Sequence, residues 1–168
     1  MPVSNSSPLI HLAQLGKLGY VRQLFLSVLI PPAVREETIE AGKLDGYPDA
    51  LNLERSERDG WLRTSELSRQ SAKLASELAG VVGKGEAEAI ALAVEKSDRL
   101  FMDDLKGRRT ANLYRIETTT TLGVIFELLA TRTISKIDYV KNVKEYGSSG
   151  WVSGDVIEQF IERGRDFE

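Results

Sequence analysis

The chain has 168 residues and a formal charge of −3, with 42% hydrophobic and 28% charged residues, a balance that suits one folded domain with a real core. It has no cysteine and a single histidine, His11, which excludes disulfides and thiolate metal sites and leaves little scope for a histidine metal site or a Ser-His-Asp triad. Any metal would therefore take oxygen ligands, as Mg²⁺, Mn²⁺ or Ca²⁺ do. The acidic balance offers no global basic field, so a nucleic-acid substrate would need a local basic patch.

The opening Met-Pro-Val-Ser-Asn-Ser-Ser-Pro has neither the basic region nor the apolar core of a signal peptide, and no apolar run approaches the ~20 residues of a membrane span. The expectation is a cytoplasmic protein without a membrane partner. Val3 and Ser4 open a short strand that stops at Asn5-Ser6-Ser7. Ser7 before Pro8 reads as a helix cap with proline at the first helical position, and Gly16 ends that helix. Gly19 starts a second short helix. Ser27-Val28-Leu29-Ile30 is an apolar run read as a buried strand, and Pro31-Pro32 launches a helix over 33–41.

Residues 42–60 carry Pro48, glycines and acids with few large apolar side chains, and read as a loop or helical insertion. A strand follows at 61–64, then a helix over 67–78, a glycine break at 80–85 and a strong helix over 86–96. Arg99-Leu100-Phe101-Met102 is a strand ending at Asp103-Asp104. A charged helix covers 106–114, a last strand 116–118, and a helix begins near Leu122. Residues 131–168 form a C-terminal helical extension, with helices at 137–145 and 156–163 around a Gly/Ser turn. Short strands alternating with helices imply a mainly parallel sheet in one domain, with ligands beyond the carboxyl ends of its strands.

Side-chain direction selects the acids. At about 100° per residue, Glu86 heads the face made by Ala87, Ala89, Ile90, Ala93 and Val94, whereas Glu88 and Glu95 fall on the opposite, solvated side. A carboxylate there is costly unless neutralised, although the helix dipole helps in the first turn. The alternative is a rim residue capping backbone N–H groups. Glu37 has Ala33, Val34 and Ala41 as its turn neighbours and reads as inward, with Arg35 turned away. Glu36 and Glu40 replace it if the register shifts. Asp103 and Asp104 crowd like charges at a strand end, which a divalent cation relieves; the alternative is one capping and one exposed aspartate. Lys106, Arg108, Arg109 and Arg115 follow closely. They could steer phosphates, form a solvated helix face, or, for Arg108 and Arg109, pair with the acids. Gly83-Lys84-Gly85 lacks the Lys-Ser/Thr ending of a P-loop. Thr118 to Thr121 could place hydroxyls near the site or simply start a helix, and His11 reads as structural or superficial. Carboxylates gathered from three elements favour hydrolysis assisted by Mg²⁺ or Mn²⁺.

These residues resemble the PIN-domain superfamily. Ser4-Asn5-Ser6-Ser7-Pro8-Leu9-Ile10 is similar to the opening of a bacterial and archaeal PIN-like subgroup. Ile30-Pro31-Pro32-Ala33-Val34, the run from Gly85 to Ala93, Met102-Asp103-Asp104 with Arg108-Arg109, and Thr121-Leu122-Gly123-Val124 follow in order across residues 3–130. The resemblance implies a three-layer α/β/α sandwich, Rossmann-like and PIN-like, and a metal-dependent ribonuclease that is often the toxin of a toxin–antitoxin pair, similar to VapC-type enzymes. It also implies an RNA substrate, a small antitoxin protein and a homodimer as partners. Carried over by motif, the catalytic positions fall on Asn5, Glu37, Glu86 and Asp103 or Asp104, with Mg²⁺ or Mn²⁺ on the four acids. Ser6 matches the small hydroxyl residue that often follows the first acid, and Ser6, Lys106, Arg108 and Arg109 are the expected substrate contacts. Asn5 departs from the usual aspartate: it offers a carbonyl oxygen without charge, which puts activity rather than fold in question.

Overall fold

The structure is a computed structural model that describes residues 1–167. The apolar triplet Val28-Leu29-Ile30 is buried along its whole length, as a parallel strand covered on both faces must be. It is β2 (Val28–Ile30), and it lies between β1 (Val3–Ser4) and β3 (Leu62–Thr64). On the other side of β1 come β4 (Leu100–Phe101) and β5 (Thr118–Thr119). The order is β3-β2-β1-β4-β5, and every pairing is parallel. The chain runs outward from β1 to β3 and then returns to β4 on the far side of β1. That reversal makes a topological switch point between β1 and β4, where such sheets open a crevice.

Helices cover both faces. On one, α1 (Ser6–Gln14) packs against α2 (Leu18–Phe25), α5 (Pro48–Arg58) and α9 (Thr121–Ala130). On the other, α7 (Lys84–Lys96) lies on β1 and β4 and touches α3 (Pro32–Arg35), α6 (Arg69–Leu78) and α8 (Leu105–Leu113). The result is the three-layer α/β/α sandwich. The stretch 42–60 holds α4 (Gly42–Leu44) and α5. At the C-terminal end, α10 (Lys136–Ser148) and α11 (Gly154–Arg165) pair with each other and pack on α9. Gly164 lets them approach closely, because a Cβ there would run into the Tyr139 ring. The Tyr139 hydroxyl also donates to the Phe160 carbonyl across the pair at 2.6 Å. Among the described residues no helix is long and apolar enough to cross a membrane.

Three local expectations are corrected. Helix α1 begins at Ser6 with Asn5, not Ser7, in the N-cap position. Strand β5 starts at Thr118, and Ile116 is a buried residue before it. Glu88 and Glu95 are half-buried rather than fully solvated: α7 lies between α3 and α6, so the side opposite the sheet is partly covered by other helices. Glu88 accepts a hydrogen bond from the Ala33 backbone N–H at 2.9 Å and so caps α3. Glu95 accepts from the Ser68 N–H at 2.9 Å and the Ser71 hydroxyl at 2.6 Å, at the start of α6.

The bonds to Glu95 from Lys96, the Ser71 hydroxyl and the Ser68 N–H hold its carboxyl down at about 2, against an ordinary 4.5. A lowered acid stabilises the fold above its unfolded pKa, and that contribution fades as pH falls from 4.5 toward about 2. Glu95→Gln is therefore expected to lower Tm at neutral pH, with the gap to the parent closing across that acidic window; thermal melts over a pH series check this.

Candidate active site

The register of β1 against β4 builds the site. Val3 lies opposite Leu100 and Ser4 opposite Phe101, and the Asn5 N–H donates to the Phe101 carbonyl at 3.0 Å. Asn5 and the Met102-Asp103-Asp104 segment thus leave the sheet side by side at the switch point. Asn5 is 4% exposed, and its backbone is extended as an N-cap requires, yet its side chain caps nothing. Its Oδ1 is buried without a hydrogen-bond partner. A buried carbonyl oxygen left unpaired is uncommon, and it suits a hard cation.

Glu37 departs from expectation in orientation but not in neighbourhood. The chain over Glu36–Ala41 is a π-helical turn, wider than an α-turn, so a spacing of about 100° per residue does not hold there. Thr38, Ile39 and Gly42 take the buried positions, and Glu37, like Ala41, is exposed rather than on the apolar side. Its carboxylate nevertheless lies over Gly85, where a Cβ would stand 2.7 and 2.8 Å from its oxygens. The Ser6 hydroxyl donates to Glu37 Oε2. A glycine in the first turn of α7 and a hydroxyl in the first turn of α1 therefore seat this acid. Glu36 instead meets Lys84 at 3.5 Å, and Glu40 meets Arg35 at 2.7 Å.

Glu86 is half-buried in the first turn of α7 and accepts from the Gly83 N–H at 3.0 Å, so it both caps the helix and faces the site. Burial is the main cause that raises its carboxyl above the ordinary range, with Asp104 and Glu37 adding repulsion; the Gly83 bond and Lys106 oppose it. Asp104 is exposed and caps α8 through the Gly107 N–H at 2.7 Å. Asp103 is more enclosed. Its Oδ1 accepts from the Thr121 N–H and its Oδ2 from the Thr121 hydroxyl, both at 2.7 Å, and His11 Nδ1 lies 3.0 Å from Oδ2. Burial beside Asp103 pushes the Tyr146 phenol well above its ordinary range.

Lys106 and Arg109 are exposed on α8, and Arg108 is half-buried with its Nε unpartnered. Arg22, Arg35, Lys43, Lys84 and Arg99 elsewhere sit in ion pairs, whereas among the described residues these three have no carboxylate within the 4.0 Å of an ion pair. The expectation that Arg108 or Arg109 pairs with the acids is not met.

Sequence reasoning missed His11 as a site residue. It is 4% exposed, and its partner Asp103 is 92 positions away. Tyr146 and Trp151, whose ring centroids lie 5.1 and 4.6 Å from that of His11, were equally illegible. Among the described residues no three or more Asp, Glu or His side chains are arranged to hold a metal ion. Asp104 and Glu37 are each near enough to Glu86 to repel its carboxylate, and these oxygens and the unpaired Asn5 Oδ1 are of the donor type that Mg²⁺ or Mn²⁺ takes, although the side chains are not gathered into a coordinating group.

A raised carboxylate destabilises the fold when it ionises. Its contribution is lost as pH rises through the unfolded and then the folded pKa. Glu86→Gln keeps an acceptor for the Gly83 N–H and removes the charge. In the presence of a chelator it is expected to melt higher than the parent at about pH 7 and to match it near about pH 3.5, where both side chains are neutral.

The family model of the DUF3368 PIN domain matches residues 1–165. No curated protein and no solved structure matches the chain.

Proposed function

The chain belongs to the PIN-domain family, and on that premise we propose that it is a metal-dependent endoribonuclease that hydrolyses RNA phosphodiester bonds. The observations that most support this reading are the half-buried Glu86, raised by its own burial and by Asp104 and Glu37, and the unpaired Asn5 Oδ1 at the end of β1. PIN domains generally use divalent metals, and a site that keeps like charges together is the kind a cation relieves. Glu37, Glu86, Asp103 and Asp104 would hold Mg²⁺ or Mn²⁺ with Asn5. When bound, the ion supplies charge stabilisation at the phosphoryl oxygens and a water of lowered pKa.

The protein's own side chains have separate tasks in this reading. Ser6 orients Glu37. Thr121 and His11 hold the Asp103 carboxylate in one position. Lys106, Arg108 and Arg109, free of ion pairs among the described residues, attract the phosphates of the strand and so offset the repulsion of the acids. A small antitoxin protein as inhibitor, a homodimeric state and a cytoplasmic setting belong to the same proposal.

A second reading is a PIN-fold module that binds RNA or a protein with little or no turnover. The neutral Asn5 favours it, because the site lacks one negative charge that would tighten Mg²⁺ binding. Incubation of the parent and Glu86→Gln with RNA and Mn²⁺ separates the two. The nuclease reading expects cutting by the parent and a loss of about 100-fold or more in the variant; equal cutting, or none in either, removes it. Asn5→Asp is expected to raise metal-dependent cutting and to enlarge the rise in Tm on adding Mn²⁺.

Gly85→Ala tests the seat of Glu37. The new methyl group would displace only the mobile end of that side chain, and alanine favours a helix by roughly 0.5–1 kcal/mol over glycine. The expected outcome is an unchanged or higher Tm with reduced cutting, measured on the same preparation.

A further inference from the structure

One large aromatic side chain is displayed beside the acidic site. Trp151 sits in the turn between α10 and α11 and is 60% exposed, whereas the other tryptophan, Trp61, is 5% exposed in the core. Trp151 is not loose. Its ring lies 4.6 Å, centroid to centroid, from that of buried His11, at an interplanar angle of 55°. His11 is fixed in turn by Asp103 at 3.0 Å and by an edge-on contact with Tyr146 at 5.1 Å. An unbroken chain of contacts therefore runs from the indole to the end of β4, where Asp103 and Asp104 leave the sheet. Cations without carboxylate partners among the described residues, Lys106 and Arg109, stand on α8 directly after those aspartates. Positive charges for phosphates and an anchored, solvent-facing indole are the two parts of a single-strand binding surface.

We infer that Trp151 is a stacking platform for an unpaired nucleobase of a single strand bound across the acidic site. The inference rests on the nucleic-acid reading above and deepens it, because stacking needs a base freed from pairing and so selects single strands over duplex. His11 is the positioning residue: it backs the indole and ties its place to Asp103. RNA and DNA bases share this stacking chemistry, so the two strands are compared directly.

The test is intrinsic fluorescence of the full chain with EDTA present, which blocks metal-dependent cutting while binding is read. Short single-stranded oligoadenylate RNA, its DNA counterpart and a fully paired RNA duplex are titrated into the parent, Trp151→Phe and Trp151→Ala. Trp61, enclosed in the core, serves as the internal background. The expected result is quenching by the single strands in the parent and none in Trp151→Phe. Filter-binding affinity should fall roughly 10- to 100-fold in Trp151→Ala and much less in Trp151→Phe, which keeps a ring. Tighter binding of RNA than of DNA identifies RNA as the strand; equal binding leaves stacking in place as a property shared by both. Equal quenching by duplex, unchanged affinity in Trp151→Ala, or quenching caused by raising protein concentration alone (a second copy covering the indole) would overturn it. Failure of Mn²⁺-dependent cutting with the quench intact sinks the nuclease reading and leaves the platform. Cutting without the quench does the reverse.

Discussion

Two residues of β1 lie against two residues of β4, and just beyond them the Asn5 N–H closes on the Phe101 carbonyl. The candidate site depends on this short parallel pairing. It joins segments about a hundred positions apart, and it fixes their carboxyl ends at the same height. Because the chain reverses its winding direction between these two strands, the helices that follow them, α1 and α8, diverge to opposite faces and leave a crevice. Asn5, Asp103 and Asp104 sit at its floor. Glu86 approaches it from α7, and Glu37 from the π-helical turn, which packs on α1 and α5.

Among the described residues, five acidic side chains accept from backbone N–H groups at helix starts, those of α3, α6, α7, α8 and α9. A helix start welcomes negative charge through its dipole and its free donors. At Glu88 and Glu95 the outcome is structural, and Glu95 is held strongly acidic by its donors. At Glu86 the same device coexists with burial and two neighbouring acids, and the carboxyl shifts the other way. The contrast distinguishes a cap from a strained site: donors outweigh burial in the first and fail to in the second. A fold that keeps Glu86 in that environment accepts some loss of stability, as functional sites commonly do.

The C-terminal pair α10–α11 brings a different ingredient. Through its packing on α9 it carries Tyr146 and Trp151 to His11. The only histidine of the chain is thereby enclosed between an aspartate and two aromatic rings, and an element at the far end of the sequence contributes to the rim of the crevice.

From the sequence alone, the alternation of short apolar runs with helical spacing determined the α/β class. The strand end at Asp103-Asp104 was legible because polar residues abruptly follow apolar ones, and the end at Asn5 because a run of small polar residues stops a short strand. Family likeness was legible in ordered short motifs. Tertiary structure alone decided which side of each helix meets water. The periodicity of α7 placed Glu88 and Glu95 in solvent because a helical wheel knows only its own residues, whereas α3 and α6 partly cover that side. Glu37 was misplaced because a π-helical turn changes the angle per residue, a backbone choice that the local sequence does not announce. The partnership of His11 with Asp103 lay beyond sequence reading for the simplest reason: hydrogen bonds depend on distance in space, and only the completed sheet brings those two side chains within 3.0 Å.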